Sequence, residues 1–161
     1  MDNQAFYTAV GATDFVSRYY DICSRFPPRT TENCKCRRSD VTEVVTALGR
    51  NARWDRRDNS YSLDTMEGTA TVHSGFVLQK WNTVEFWFWI DDAGSRIGSN
   101  YATIAHEAAK AADMAIPNPP YPRPVFATIH DLSEIIRELL HLADGLFSLF
   151  VKMKGKKAGG W

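Results

Sequence analysis

Apolar residues recur at helical spacing through the first twenty-five positions: Phe6, Ala9, Val10, Phe15, Tyr19 and Ile22. That spacing predicts a helical segment from Gln4 to Arg25. Gly11 is placed to divide it, with Thr13 capping the second part. Pro27 and Pro28 end the segment, because proline lacks an N–H and restrains the residue before it. Arg29 to Arg38 is polar and basic, a loop. Ser39 is a suitable N-cap for a second helix, with Glu43 near the reciprocal position. Val41, Val44, Val45 and Leu48 form its apolar face, and Gly49 is its stop.

Beyond Gly49 the period changes from helical to alternating. Strands are predicted over Asn51–Arg56, Tyr61–Met66, Thr69–Gln79 and Val84–Ile90. The turns between them are Arg57–Ser60, Glu67-Gly68 and Trp81–Thr83. Asp91 to Ser99, with Gly94 and Gly98, reads as a loop. Ser99 or Asn100 then caps a third helix reaching about Met114, whose alanines give it a smooth face for close packing. Five of the seven prolines lie between Ile116 and Pro124 and predict a stiff, extended connector. Thr128 and Asp131 match a capping box that opens the last helix, from Ile129 to about Met153. The whole predicts an α+β domain over residues 1–153. An antiparallel meander of about four strands packs against N-terminal and C-terminal helices, and 154–161 forms a flexible, basic, glycine-rich tail.

The chain has 161 residues, 44% of them hydrophobic and 24% charged, and its 19 basic and 19 acidic side chains cancel. That is the profile of a globular domain, and the zero net charge argues against a dedicated nucleic-acid binder. No apolar run approaches the ~18 residues of a membrane span, and no leader is visible, so a cytoplasmic location is expected. Cys23, Cys34 and Cys36 are too few and oddly numbered for a disulfide framework. Cys23 is expected to be buried on a helix. Lys35, Arg37 and Arg38 are expected to lower the pKa of the Cys34 and Cys36 thiols.

His106-Glu107-x-x-Lys110 approximates a zinc-hydrolase motif, but a charged lysine cannot coordinate zinc at the second ligand position. No nucleophile elbow, phosphate loop or dinucleotide fingerprint occurs. The expectation is therefore no enzyme, no cofactor and no metal. The informative stretch is Trp81 to Asp92. In a strand, Val84, Phe86, Phe88 and Ile90 share one face, and Glu85, Trp87, Trp89 and Asp91 share the other. The first is a core stripe. The second is covered by a loop or the terminal helix, docks a partner, or walls a ligand pocket, since exposed tryptophans are costly unless covered or used. Charge is also uneven: residues 61–115 hold seven acids against three bases. Such a negative centre suits a basic partner. The near-continuously apolar stretch Gly145–Val151, followed by lysines, is read as a helix buried on its own sheet rather than on a membrane or a second copy.

In its single α+β domain, its aromatic strand Val84-Glu85-Phe86-Trp87-Phe88-Trp89-Ile90-Asp91-Asp92 and its lack of catalytic motifs, the chain resembles bacterial immunity proteins. These neutralise polymorphic or contact-delivered toxins. The resemblance implies a stoichiometric inhibitor of one cognate toxin protein. Trp87 and Trp89 would be its anchors, and Glu85, Asp91 and Asp92 would pair with basic groups of the toxin. The alternative is an enzyme or small-molecule binder with its pocket between sheet and helices, in which Asp91, Asp92 and His106 would act.

Overall fold

The computed structural model describes residues 2–29, 34–63, 66–67 and 70–158. Helix α1 (Asn3–Gly11) and helix α2 (Phe15–Arg25) divide at Gly11 as the pattern requires. The N-cap of α2 is Asp14 rather than the expected Thr13, whose hydroxyl oxygen, one residue earlier, accepts the Phe15 N–H at 3.2 Å. Helix α3 (Arg38–Ala47) begins slightly earlier than Ser39 suggests, because the Asp40 carboxylate accepts the Arg37 N–H at 2.8 Å. The strands are β1 (Ala52–Asp55), β2 (Ser60–Leu63), the two-residue β3 (Met66–Glu67), β4 (Thr71–Gln79), β5 (Thr83–Asp92) and β6 (Ser95–Asn100). Helix α4 (Tyr101–Ala111) and helix α5 (Ile129–Ala158) complete the chain. Gly68 of the expected Glu67-Gly68 turn and residues 159–161 of the expected tail lie outside the described residues.

The fold is α+β. Five strands form one antiparallel sheet in the order β1-β2-β4-β5-β6, with β3 also paired to β4. The expected meander of about four strands corresponds to β1, β2, β4 and β5. Strand β6 occupies most of the expected loop Asp91–Ser99. The chain reverses between β5 and β6 through Ala93 and Gly94, at φ +48° and +82°. Two positive φ values suit a tight hairpin turn whose twist matches that of the strands, and glycine adopts one of them without strain.

The helices pack on one face of the sheet. An aromatic row crosses that face at one register level, Trp54, Tyr61, Phe76 and Phe86, with successive ring centroids 4.8, 5.0 and 6.2 Å apart. Phe86 meets Tyr101 of α4 at 4.8 Å, and the Tyr101 hydroxyl donates to the Leu139 carbonyl of α5 at 3.1 Å. Leu132, Ile135, Ile136, Leu139 and Leu142 of α5 are buried, which fits the expectation that this helix packs on its own fold. The Thr128–Asp131 capping box is reciprocal: Asp131 N–H donates to Thr128 Oγ1 at 3.0 Å, and Thr128 N–H to Asp131 Oδ2 at 3.1 Å.

The proline-rich connector is used structurally. Its Pro124 carbonyl accepts the Val84 N–H at 2.9 Å, and its Pro122 carbonyl accepts the Tyr19 hydroxyl at 2.8 Å. It thus covers the part of β5 that β6 leaves unpaired. Proline cannot donate a ladder bond, but its carbonyl can accept one. At the other end of the chain the helix continues past Met153. Lys154, expected in a frayed tail, sits in helix with its ammonium 2.7 Å from Asp92.

Candidate functional site

Strand β5 alternates strictly. Val84, Phe86, Phe88, Ile90 and Asp92 are buried, while Glu85, Trp87, Trp89 and Asp91 are half-buried on the outer face. Register assembles that outer face in rows. Arg53, Ser62, Gly75, Trp87 and Asn100 form one, and His73, Trp89 and Gly98 the next. The Trp87 and Trp89 rings stack at 4.3 Å and 14°. Trp87 lies over Gly75, where a built Cβ would fall 2.3 Å from its Cζ2. The Arg96 guanidinium lies 5.4 Å from the Trp89 ring centre, within the range of a cation–π contact.

The proline connector reaches this face beside the tryptophan pair, where Arg123 meets Glu85. Two depressions flank the pair. One, of about 440 Å³, runs over Ser60, Ser62 and His73 to Asp58; the other, of about 410 Å³, runs over Glu85, Ser99 and Asn100. Their walls come from strands and from the β1–β2 turn. The most exposed large apolar side chain among the described residues, Trp81 at 72%, stands at the turn of the β4–β5 hairpin. Its φ is +63°, a left-handed conformation that bulky residues rarely adopt.

The carboxylates of this region are not available in the way the linear sequence suggests. Asp91 accepts from Arg96 through Nε at 2.8 Å and Nη2 at 2.9 Å, and lies 3.1 Å from His73 Nε2. The Arg96 hydrogen bond holds the Asp91 carboxyl below its ordinary pKa. Glu85 takes the Arg123 guanidinium at 3.2 Å and the Gln79 amide. Asp92 is not on this face at all. The two-residue period of a strand turns it to the helix side, where it is 7% exposed and pairs with Lys154. The expected acidic surface of Glu85, Asp91 and Asp92 therefore reduces to two carboxylates that already have cationic partners.

The other candidates disperse. Asp91 faces Arg96 and His73, Asp92 faces Lys154, and His106 stacks on Tyr121 at 4.3 Å. Each has its own neighbours, so the structure does not assemble the three into one pocket. Lys110 lies 3.5 Å from Glu107, a surface pair on one helix face. The thiols are not activated. Burial pushes Cys36 up to about 11 and the buried Cys23 up to about 12, and Cys34 also rises, so nearby basic residues do not prevail over desolvation. Among the described residues no group of three or more His, Cys, Asp or Glu is placed to hold a metal, and no helix is long and apolar enough to cross a membrane.

Comparison with family models, curated proteins and solved structures finds no match to this chain. The site residues that sequence reasoning missed are Gly75, His73 and Arg96, which β-sheet register brings to the tryptophans; Trp81 heads the informative stretch, but its exposure has no sequence signal. A glycine opposite a tryptophan has no local signature. The Asp91–Arg96 pair had a weak one, a cation five residues beyond an acid across a two-residue turn.

Proposed function

We propose that the protein is a binding module of the immunity type, a stoichiometric inhibitor that docks one cognate toxin through the outer face of its sheet. The observation that carries this reading is the stacked Trp87–Trp89 pair on the face of the sheet opposite the buried, helix-facing residues of β5. Large aromatic side chains held in one orientation lose little entropy on binding and dominate interface energetics. Gly75 beneath Trp87 and Arg96 beside Trp89 hold the pair in place before any partner arrives, which lowers the ordering cost of association. Occlusion of the toxin's active surface follows from seating it on this face. The anchors are Trp87 and Trp89, and Glu85 and Asp91 serve chiefly to orient Arg123 and Arg96.

The test is affinity capture of the tagged full chain from cells of its source, followed by co-expression of the captured partner with this chain in a sensitive host. The reading expects one partner at equal stoichiometry, toxicity of that partner alone, and rescue by co-expression. Trp87→Ser with Trp89→Ser should weaken capture by at least about thirtyfold, the scale of a lost hot spot, with the fold retained by circular dichroism. Undiminished capture by that double variant sinks the surface assignment. A partner that is harmless when expressed alone sinks the inhibitor reading.

A further inference from the structure

We infer that the partner surface seated on this face is acidic, the reverse of the polarity that the aromatic strand suggests by itself. The inference rests on the docking reading above and adds the charge of what docks. Asp91 and Glu85, the acids beside the tryptophans, are held by Arg96 and Arg123. Arg53, Arg56, Arg57 and Lys80 make no ion pair among the described residues. All four are exposed.

Register places these four cations around the tryptophans. Arg53 lies in the same outer-face row as Trp87, three strand spacings away, or about 14 Å. Tyr61 pairs with Phe76, so the next level pairs Ser60 with Val77 and brings the β1–β2 turn, with Arg56 and Arg57, to the end of the sheet where β4 turns into β5. That second turn carries Lys80 and the exposed Trp81. The Ser60–Ser62–His73 depression connects the β1–β2 turn to the tryptophan pair. Two acids share the hairpin. Asp55 is occupied by the Arg57 and Asp58 N–H groups, while Asp58 is exposed. Among the described residues, four cations without an ion pair thus stand against Asp55 and Asp58 around the aromatic anchors, and complementary charge both speeds association and rejects unlike partners.

An acidic protein surface fits this arrangement better than a nucleic acid does. A phosphate chain presents continuous negative charge, and would pass over Asp58, Asp91 and Glu85 on the same face. Base stacking needs free ring faces, but Trp87 and Trp89 are stacked on each other, Trp87 lies on Gly75, and Arg96 sits over Trp89. Separate carboxylates spaced along a protein surface can meet the arginines while apolar side chains meet the indoles.

The experiment measures fluorescence anisotropy of a labelled peptide of alternating glutamate and leucine, its lysine–leucine counterpart, and an oligothymidine, each against the full chain. The expected result is binding of the glutamate peptide in preference to the other two probes. Arg53→Glu, Arg56→Glu and Arg57→Glu together should weaken it at least about tenfold and favour the lysine peptide. The three glutamine substitutions, which avoid new repulsion within the hairpin, should weaken it in the same direction. The inference is overturned if the wild-type chain prefers the lysine peptide or the oligothymidine, binds no probe, or holds the glutamate peptide equally well after both sets of substitutions. Trp87→Ser with Trp89→Ser separates the two readings. If peptide binding needs the arginines but not the tryptophans, the acidic-partner inference stands and the tryptophan docking reading fails. If binding needs the tryptophans but is indifferent to charge, the docking reading stands and this inference fails.

Discussion

Gly75 determines how Trp87 sits. A Cβ at that position would lie 2.3 Å from Trp87 Cζ2 and 2.3 Å from the Tyr61 carbonyl oxygen. Neither neighbour can yield cheaply, because one is a stacked ring and the other is backbone in the β2–β4 ladder. Gly75→Ala is expected to cost about 1–3 kcal/mol, as overpacking does, and to lower Tm by about 3–10 °C. It should also shift tryptophan emission as the Trp87–Trp89 stack opens. An unchanged Tm and spectrum would contradict the packing described. Asp91 makes a second prediction at this scale. Its pKa lies below the ordinary value of 3.8, first because of the Arg96 hydrogen bond and also because of His73. A depressed carboxylate pKa stabilises the fold above the ordinary value, and that contribution is lost as pH falls through the depressed one. Thermal melts of the wild type and Asp91→Asn should therefore differ by a constant amount above about pH 5 and converge in stronger acid. A gap that widens on acidification would show that Asp91 is not stabilised as a carboxylate.

Helix α5 contains a glycine, Gly145, with nothing within 4 Å of where its Cβ would be. Glycine in a helix interior costs roughly 0.5–1 kcal/mol relative to alanine, through backbone entropy. Gly145→Ala should recover about that much and raise Tm by a few degrees, read by calorimetry. A loss of stability would mean that the glycine serves a close approach not visible in the fold. Elements such as α5 and β5 were legible in the sequence because their signals are local. Thr128 and Asp131 mark a helix start, and Val84, Phe86, Phe88 and Ile90 mark a buried strand face. Strand β6 was not legible, because Gly94 before it and Gly98 within it read as loop and its apolar side chain Ile97 stands alone. The site was half legible. Trp87 and Trp89 follow from alternation, but the partners that set their environment come from β2, β4 and β6, and only register brings those together. The pairing of its acids was not legible for the same reason: a list of acids does not reveal that Asp91 meets Arg96 and Glu85 meets Arg123.

At the scale of the whole molecule, the chain's end is tied to the sheet by one ion pair across sixty-two positions of sequence, between Lys154 of α5 and Asp92 of β5. The two ends of the bond are unequal. Asp92 has 8% of its side chain exposed, and Lys154 has 37%. Removing the lysine therefore leaves a nearly buried carboxylate without its cation, which is worse than removing both charges, because an unsatisfied buried group bears its full desolvation cost. Lys154→Met is expected to destabilise by about 1–3 kcal/mol, given the partial exposure of the lysine. Asp92→Asn combined with Lys154→Met should lose less than Lys154→Met alone, since the neutral amide tolerates burial that the carboxylate does not. Urea unfolding of the wild type, both single variants and the double variant measures this directly as a coupling energy. Hydrogen exchange should locate the effect. The last turns of α5 would lose protection in Lys154→Met while the Trp87–Trp89 face keeps its own, because Asp92 points to the helix side and Asp91, its neighbour in sequence, to the other. Equal additive losses in the double variant would mean that Lys154 and Asp92 act independently and that packing of Phe150, rather than this pair, holds the helix end to the sheet.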